Sequence, residues 1–94
     1  MKKFEKRAQQ VEEKLQEIMG EKHFKDVFIS GDQSGVTFEV PGDDYNVLIS
    51  AVDDGFLLET YNLDTEQYAN SKTRKSLPPV VRYLKKYVYI RGGE

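Results

Sequence analysis

The sequence predicts an α+β fold: an N-terminal helix, a four-stranded antiparallel meander, and a short helix and a C-terminal helix packed on the sheet. Residues 3–19 carry apolar side chains at the spacing of an amphipathic helix. Residues 26–62 carry four short strand-like runs, separated by turns rich in Gly and Asp. Such short turns join antiparallel neighbours, because parallel strands need long crossover connections. The length of 94 residues predicts one domain spanning residues 1–94.

The predicted N-terminal helix, residues 3–19, has one apolar stripe, and its charged side chains fall mainly outside that stripe. Gly20 ends the helix, because glycine accepts the left-handed conformation that closes many helices. We expect the stripe to dock onto the sheet. The same spacing also suits a short coiled-coil seam between two copies, although it spans only about two heptads. The stripe consists of Phe4, Ala8, Val11, Leu15, Ile18 and Met19.

Four strands are predicted at residues 26–30, 36–40, 45–52 and 56–62. The second strand alternates apolar and polar residues, as a strand with one buried and one wet face does. Residues 53–55, Asp-Asp-Gly, give the strongest hairpin signal, because Asp-Gly supplies the positive φ angles that tight hairpins need.

The third and fourth strands carry apolar side chains on both faces, whereas a meander with one wet face should be more polar on that face. We therefore expect the second face to be partly covered, either by the C-terminal helix or by another subunit. A homodimer that forms through this face is one prediction. The candidate apolar interface consists of Leu48, Val52, Leu57 and Tyr61.

A short helix is predicted from Asp64 to about Lys72. Asp64 has the position of an N-cap, and Gln67 has that of its capping-box partner. Leu63 and Tyr68 are spaced to form a hydrophobic staple across the start of this helix.

A basic loop, residues 72–76, precedes the predicted C-terminal helix. Ser76 caps this helix, and the two prolines after it lie in the first turn, where their missing N–H groups cost no helical hydrogen bond. Gly92–Gly93 ends the helix. Residues 87–90, Tyr-Val-Tyr-Ile, also have strand character, so both interpretations stay open for this stretch.

Composition argues against several classes of site. The chain has no Cys, which excludes disulfide frameworks and thiolate metal sites. His23 is the single histidine and has no obvious Ser and Asp partners, so we expect it to have a surface or packing role. No Gly-rich phosphate loop follows a strand. We therefore expect no enzyme activity, no cofactor and no metal.

Hydropathy predicts a soluble protein. The basic start of the chain is not followed by the apolar core of a signal peptide, and no apolar run approaches the length of a membrane span. We expect a cytoplasmic location and no contact with membranes.

Charge is unevenly distributed along the chain. Residues 26–66 carry ten acidic and no basic side chains, whereas residues 67–94 carry seven basic and one acidic. We expect the acidic turns to form docking loops for a basic partner, because complementary charge speeds encounter. Binding of a hard cation such as Ca²⁺ is the weaker alternative for these carboxylates. The candidate docking loops contain Asp43, Asp44, Asp53 and Asp54.

The basic C-terminal segment is a candidate nucleic-acid surface, because cations neutralise phosphates and nearby tyrosines can stack on bases. The competing interpretation is a solvated face that the acidic loops partly balance. The sequence pI of about 5.4 favours the second, since dedicated nucleic-acid domains are usually basic. The candidate basic face consists of Lys72, Arg74, Lys75, Arg82, Lys85 and Lys86.

These observations predict a small non-enzymatic protein-interaction module of the regulator, adaptor or inhibitor type, with an unidentified protein partner. Nucleic-acid binding through the basic segment is the alternative, and a small enzyme of unknown activity is the third hypothesis. Both a monomer and a homodimer remain open.

Overall fold

Five antiparallel strands follow one another in space in the same order as in the sequence, between one long N-terminal helix and one C-terminal helix. The structure, a computed structural model, describes residues 3–86. The predicted α+β class is confirmed, but the sheet has five strands rather than four. The elements are α1 (Lys3–Met19), α2 (Glu21–Phe24), β1 (Phe28–Gly31), β2 (Gly35–Val40), β3 (Tyr45–Val52), β4 (Gly55–Asn62), β5 (Gln67–Arg74) and α3 (Leu77–Leu84).

The short helix predicted from Asp64 to Lys72 is wrong, because this segment forms a turn followed by β5. The Asn62 side-chain oxygen accepts hydrogen bonds from the N–H groups of Asp64 and Thr65, at 2.9 and 3.1 Å. Glu66 then takes a positive φ of 55° and donates its N–H to the Asn62 carbonyl. The polar residues that resemble a helix start therefore make one turn, after which the chain pairs with β4. This pairing satisfies backbone groups that β4 would otherwise expose along an open edge.

A bulge interrupts the pairing of β5 with β4. The register shifts between Leu58 and Thr60, and Asn70 takes a positive φ of 56° on the opposite strand. Thr60 is a buried polar residue, and its hydroxyl donates to the Ala69 carbonyl at 3.2 Å. The same hydroxyl accepts a hydrogen bond from the Asn70 amide at 3.2 Å. The bulge thus supplies the hydrogen bonds that a buried hydroxyl requires.

Both α1 and α3 lie on one face of the sheet. Val11 and Leu15 of α1 and Val80 and Leu84 of α3 are fully buried, in one core with the sheet. The apolar stripe of α1 is thus buried against the sheet, so the interpretation of this stripe as a coiled-coil seam is wrong. The expectation that the C-terminal helix covers the second face is also wrong for α3. The sheet residues in this core include Phe38, Val40, Val47, Ile49, Phe56 and Leu58.

The first turns of α1 are tied to the turn between β3 and β4. The Arg7 guanidinium donates to the backbone carbonyls of Val52 and Asp53. It also lies 6.0 Å from the centre of the Phe56 ring, within range of a cation–π contact. The Asp53 carboxylate accepts the N–H of Phe4 at 3.2 Å, which satisfies a group that a helix start leaves unpaired. Its negative charge also suits the positive end of the helix dipole.

The hairpin predicted at residues 53–55 is confirmed, but its geometry differs from the one expected. The positive φ, 147°, belongs to Gly55, whereas neither Asp53 nor Asp54 has one. A Cβ at Gly55 would lie 2.3 Å from the Arg74 carbonyl oxygen. Glycine is therefore required here both by the backbone angle and by the close approach of β5.

α3 begins directly after Ser76, as predicted, with its prolines in the first turn, although the Ser76 side chain makes no capping hydrogen bond. The predicted helix end at Gly92–Gly93 and the strand-like residues 87–90 lie outside the described residues. Within residues 3–86, none of the helices combines the length and hydropathy that crossing a bilayer requires.

We expect Arg7→Ala to lower the free energy of unfolding by about 1–2 kcal/mol, because two backbone carbonyls lose a charged donor. Urea denaturation measures this loss. Lys6→Ala, which removes an exposed cation from the neighbouring position, is the matched control and should change stability little. Equal losses in the two variants would contradict the anchoring role of Arg7.

Candidate functional site

The helices leave the opposite face of the sheet without cover from residues 3–86, and we call it the open face. Its side chains alternate along each strand with those of the core. Pairing between strands aligns most of them in three rows, and Val52 lies beyond these rows, between Gly35 and Gly55. The hydroxyl row contains Ser30, Thr37, Ser50, Leu57 and Thr73. The carboxylate row contains Phe28, Glu39, Leu48 and Glu59. The tyrosine row contains Asn46, Tyr61 and Tyr68.

The open face holds a shallow concavity of about 370 Å³ that is largely open to solvent. Phe28 on β1 and Tyr68 on β5 belong to opposite edge strands and are 65% and 62% exposed. Leu48 on the central strand is only 8% exposed, although no described helix lies over it, so its neighbours on the sheet must shield it. A ligand in this concavity would meet Leu48 at its floor and Phe28 and Tyr68 at its sides, and most of the remaining lining is polar.

Two carboxylates flank that floor. Leu48 pairs with Glu39 on one side and with Glu59 on the other, so the two Cα atoms lie two strand spacings, roughly 10 Å, apart. Asn46 donates its side-chain N–H to the Glu39 carboxylate at 2.8 Å and accepts the N–H of Gly42 at 3.1 Å, which holds Glu39 in place. Neither carboxylate forms an ion pair with a cation of residues 3–86.

The hydroxyl row offers hydrogen bonds but no activated nucleophile. The hydroxyls of Thr37 and Ser50 lie 2.9 Å apart and bond to each other. The described residues that line the concavity include no His, Cys or Lys, and His23 lies exposed on α2. The hydroxyls and carboxylates of the concavity can donate and accept hydrogen bonds to a ligand.

The four residues of the candidate apolar interface lie on the open face. Leu48 forms the floor of the concavity, whereas Val52, Leu57 and Tyr61 are half-buried elsewhere on this face. The Tyr61 and Tyr68 rings pack edge to face with their centres 4.9 Å apart. Their use in a homodimer remains a prediction.

The predicted acidic docking loops lie at opposite ends of the sheet. Asp43 and Asp44 are exposed in the β2–β3 turn, and the backbone carbonyl of Asp44 accepts the N–H of Leu63 from the β4–β5 turn at 3.0 Å. Asp53 and Asp54 lie in the β3–β4 turn, where Asp53 is committed to α1. Among residues 3–86, no group of three or more His, Cys, Asp or Glu side chains is placed to hold a metal ion.

All six residues of the candidate basic face belong to β5, α3 and the sequence between and directly after them. Lys72 and Arg74 are in a strand, not in the predicted loop, and they pair opposite Leu58 and Phe56. They therefore point to the helix side of the sheet, where α3 contacts β5. We call this surface the basic edge; it consists of Lys72, Arg74, Lys75, Arg82, Lys85 and Lys86.

Of the residues that line the concavity, sequence reasoning singled out only Leu48 as a site residue. It missed Phe28, Ser30, Thr37, Glu39, Ser50, Glu59 and Tyr68. Glu39 was within reach, because the alternation of the second strand places it on the wet face. Tyr68 was missed because the segment from Asp64 to about Lys72 was predicted to form a helix. The alignment of Glu39 and Glu59 around Leu48 depends on strand register, which the hairpin turns set.

The β1–β2 turn is organised by one carboxylate. Asp32 accepts hydrogen bonds from the hydroxyl and the backbone N–H of Ser34, at 2.6 and 2.7 Å, and from the N–H of Gly35 at 3.2 Å. These bonds favour the charged form, and the Ser34 hydroxyl makes the largest contribution to lowering the pKa of Asp32 below 3.8.

Comparison of the chain with protein-family models, with curated proteins and with solved structures finds no match. The candidate functions therefore rest on the open face and the basic edge.

We expect Ser34→Ala to raise the pKa of Asp32 toward its ordinary value, because the largest stabilising bond to the charged form is lost. A pKa that is lowered in the folded state stabilises the fold at pH values above 3.8, and this contribution disappears as the pH falls through the folded-state pKa. An NMR titration of the side-chain carboxyl carbon measures the shift. Ser71→Ala, on distant β5, is the control, and an unchanged pKa in Ser34→Ala would contradict the assignment.

Proposed function

We propose that this chain is a small non-enzymatic protein-interaction module that binds a segment of another protein on its open face. The observation that carries the proposal is a sheet with one face buried under two helices and the other without cover from the described residues. Aromatic side chains beside polar groups are typical of surfaces that bind other proteins.

The composition of the open face supports a protein ligand. Phe28, Tyr61 and Tyr68 supply large and rigid contact areas, and aromatic residues are enriched among the residues that dominate binding energy. The hydroxyls of Ser30 and Thr37 offer hydrogen bonds to a peptide backbone. A volume near 370 Å³ is at the small end of ligand pockets, which suits a few anchoring side chains.

A regulator, adaptor or inhibitor would act by such binding. The lack of Cys fits a reducing compartment, and we propose that the module acts in the cytoplasm.

The test is a selection of short random peptides displayed on phage against the whole chain. We expect selected peptides to lose affinity by about tenfold or more when Ser50→Arg places a long side chain over the centre of the open face. Isothermal titration calorimetry with synthetic copies of these peptides measures the change.

Gln9→Arg is the matched control, because it adds the same charge at an exposed position of α1, on the other side of the molecule. Both variants should keep the circular dichroism spectrum of the parent chain. The proposal fails if no peptide is selected, or if Ser50→Arg binds every selected peptide as well as Gln9→Arg does.

Nucleic-acid binding is the second candidate, and the placement of the basic edge favours it. Pairing of β5 with β4 and its contact with α3 bring all six basic residues to adjacent elements, and no acidic residue lies between positions 67 and 86. Phosphate contacts of this kind make binding strongly dependent on salt.

If the basic edge binds nucleic acid, the triple variant R82E, K85E and K86E should abolish binding of labelled single- and double-stranded oligonucleotides at low salt. Fluorescence anisotropy measures the binding. The triple variant K6E, K22E and K25E reverses the same number of exposed charges on α1, α2 and the residue after α2 and is the control. Equal binding by the parent chain and the first triple variant would exclude this surface.

A further inference from the structure

We infer that the open face selects a partner segment that presents an arginine side chain between apolar residues, with the guanidinium seated over Leu48 between Glu39 and Glu59. This inference rests on the proposed function and names the chemistry of the ligand.

The charge of the open face selects a cationic ligand. Glu39 and Glu59 are the charged side chains of its three rows, whereas Lys72 and Arg74 of the adjoining strand point to the helix side. A neutral or acidic segment would remove both carboxylates from water without replacing their hydrogen bonds, which is costly. A cation on the partner supplies the missing charge and the missing donors.

The geometry of the carboxylate row favours arginine over lysine. Glu39 and Glu59 extend from strands on either side of Leu48, with Cα atoms roughly 10 Å apart, so their side chains can approach a single group from both sides. A guanidinium presents N–H donors along several edges of one plane and can bond two carboxylates at once. Its weakly hydrated flat face also tolerates an apolar surface such as Leu48 beneath it.

The surroundings of the row favour apolar neighbours for that arginine. Phe28 lies at the end of the row on β1, and Tyr68 lines the concavity from β5. Both side chains are largely exposed in the free chain, so a partner that covers them removes apolar surface from water. The Asn46 hydrogen bond positions Glu39 before the ligand arrives, which reduces the entropy lost on binding.

A second copy of the chain fits this face poorly. A symmetric face-to-face dimer would bring the Glu39 and Glu59 carboxylates of both copies into one layer, and the open face of residues 3–86 brings no Lys or Arg to balance them. Like charges that are buried together without a cation oppose association. The charge of the face therefore favours a different protein as the occupant.

The experiment uses peptides selected against the whole chain on phage and resynthesised with each arginine replaced by citrulline. Citrulline keeps the shape of arginine and removes its charge. We expect a selected peptide to contain an arginine flanked by apolar residues. Its citrulline form should lose at least about tenfold in affinity. Glu39→Gln and Glu59→Gln should each weaken binding of the arginine peptide and leave binding of the citrulline peptide nearly unchanged.

Glu13→Gln is the matched control, because it removes one carboxylate from an exposed position of α1. Glu39→Gln keeps an oxygen that can accept the Asn46 hydrogen bond, so the fold should be retained, and thermal unfolding of each variant checks this.

The outcomes separate the inference from the proposed function. Selected peptides that need the open face but bind equally well as citrulline forms would overturn the inference and leave the proposed function standing. Failure to select any peptide sensitive to Ser50→Arg would overturn both. A dimer seen by light scattering that the E39Q, E59Q double variant strengthens would assign the face to a second copy and would also overturn the inference.

Discussion

The packing of both long helices on the same face of the sheet is the constraint on which the rest of the molecule depends. Burying one large apolar side chain stabilises a fold by about 1.5–3 kcal/mol, and a chain of this size has a thin margin of stability. Val11, Leu15, Val80 and Leu84 all enter one core with the strands. The described chain contains no further helix of comparable length, so the second face has no helical cover from residues 3–86.

The edges of the sheet are less suited to binding than its face. β1 is only four residues long, and β5 carries a bulge at Asn70 together with Lys72 and Arg74. Short strands, bulges and cations are the features by which natural sheets discourage pairing with another chain at an exposed edge. Strand addition is therefore disfavoured at both edges, whereas the open face keeps a shielded floor at Leu48.

Local signals predicted much of this fold and failed where a long-range contact decided the outcome. The predicted bounds 3–19 and 45–52 agree with α1 and β3, because apolar periodicity there matches the burial that the tertiary structure imposes. The stretch from Asp64 to Lys72 carried helix-start residues, yet an unpaired edge of β4 was available, and pairing with it outweighed local propensity. The concavity was missed because it requires the register of all five strands.

The uneven distribution of charge along the sequence can be interpreted only when each charged side chain is assigned to one of the two faces of the sheet. Glu59 on β4 and Lys72 on β5 belong to neighbouring strands, but they point to opposite sides of the sheet and cannot form a contact ion pair. The carboxylates of the open face and the cations of the basic edge therefore do not neutralise one another directly. Salt screens exposed charges beyond about 8 Å at physiological ionic strength, so each surface presents its own field to an approaching molecule. The net charge of −2 consequently says little about either surface. A positively charged molecule meets opposite charge on the open face, and a negatively charged one meets it on the basic edge.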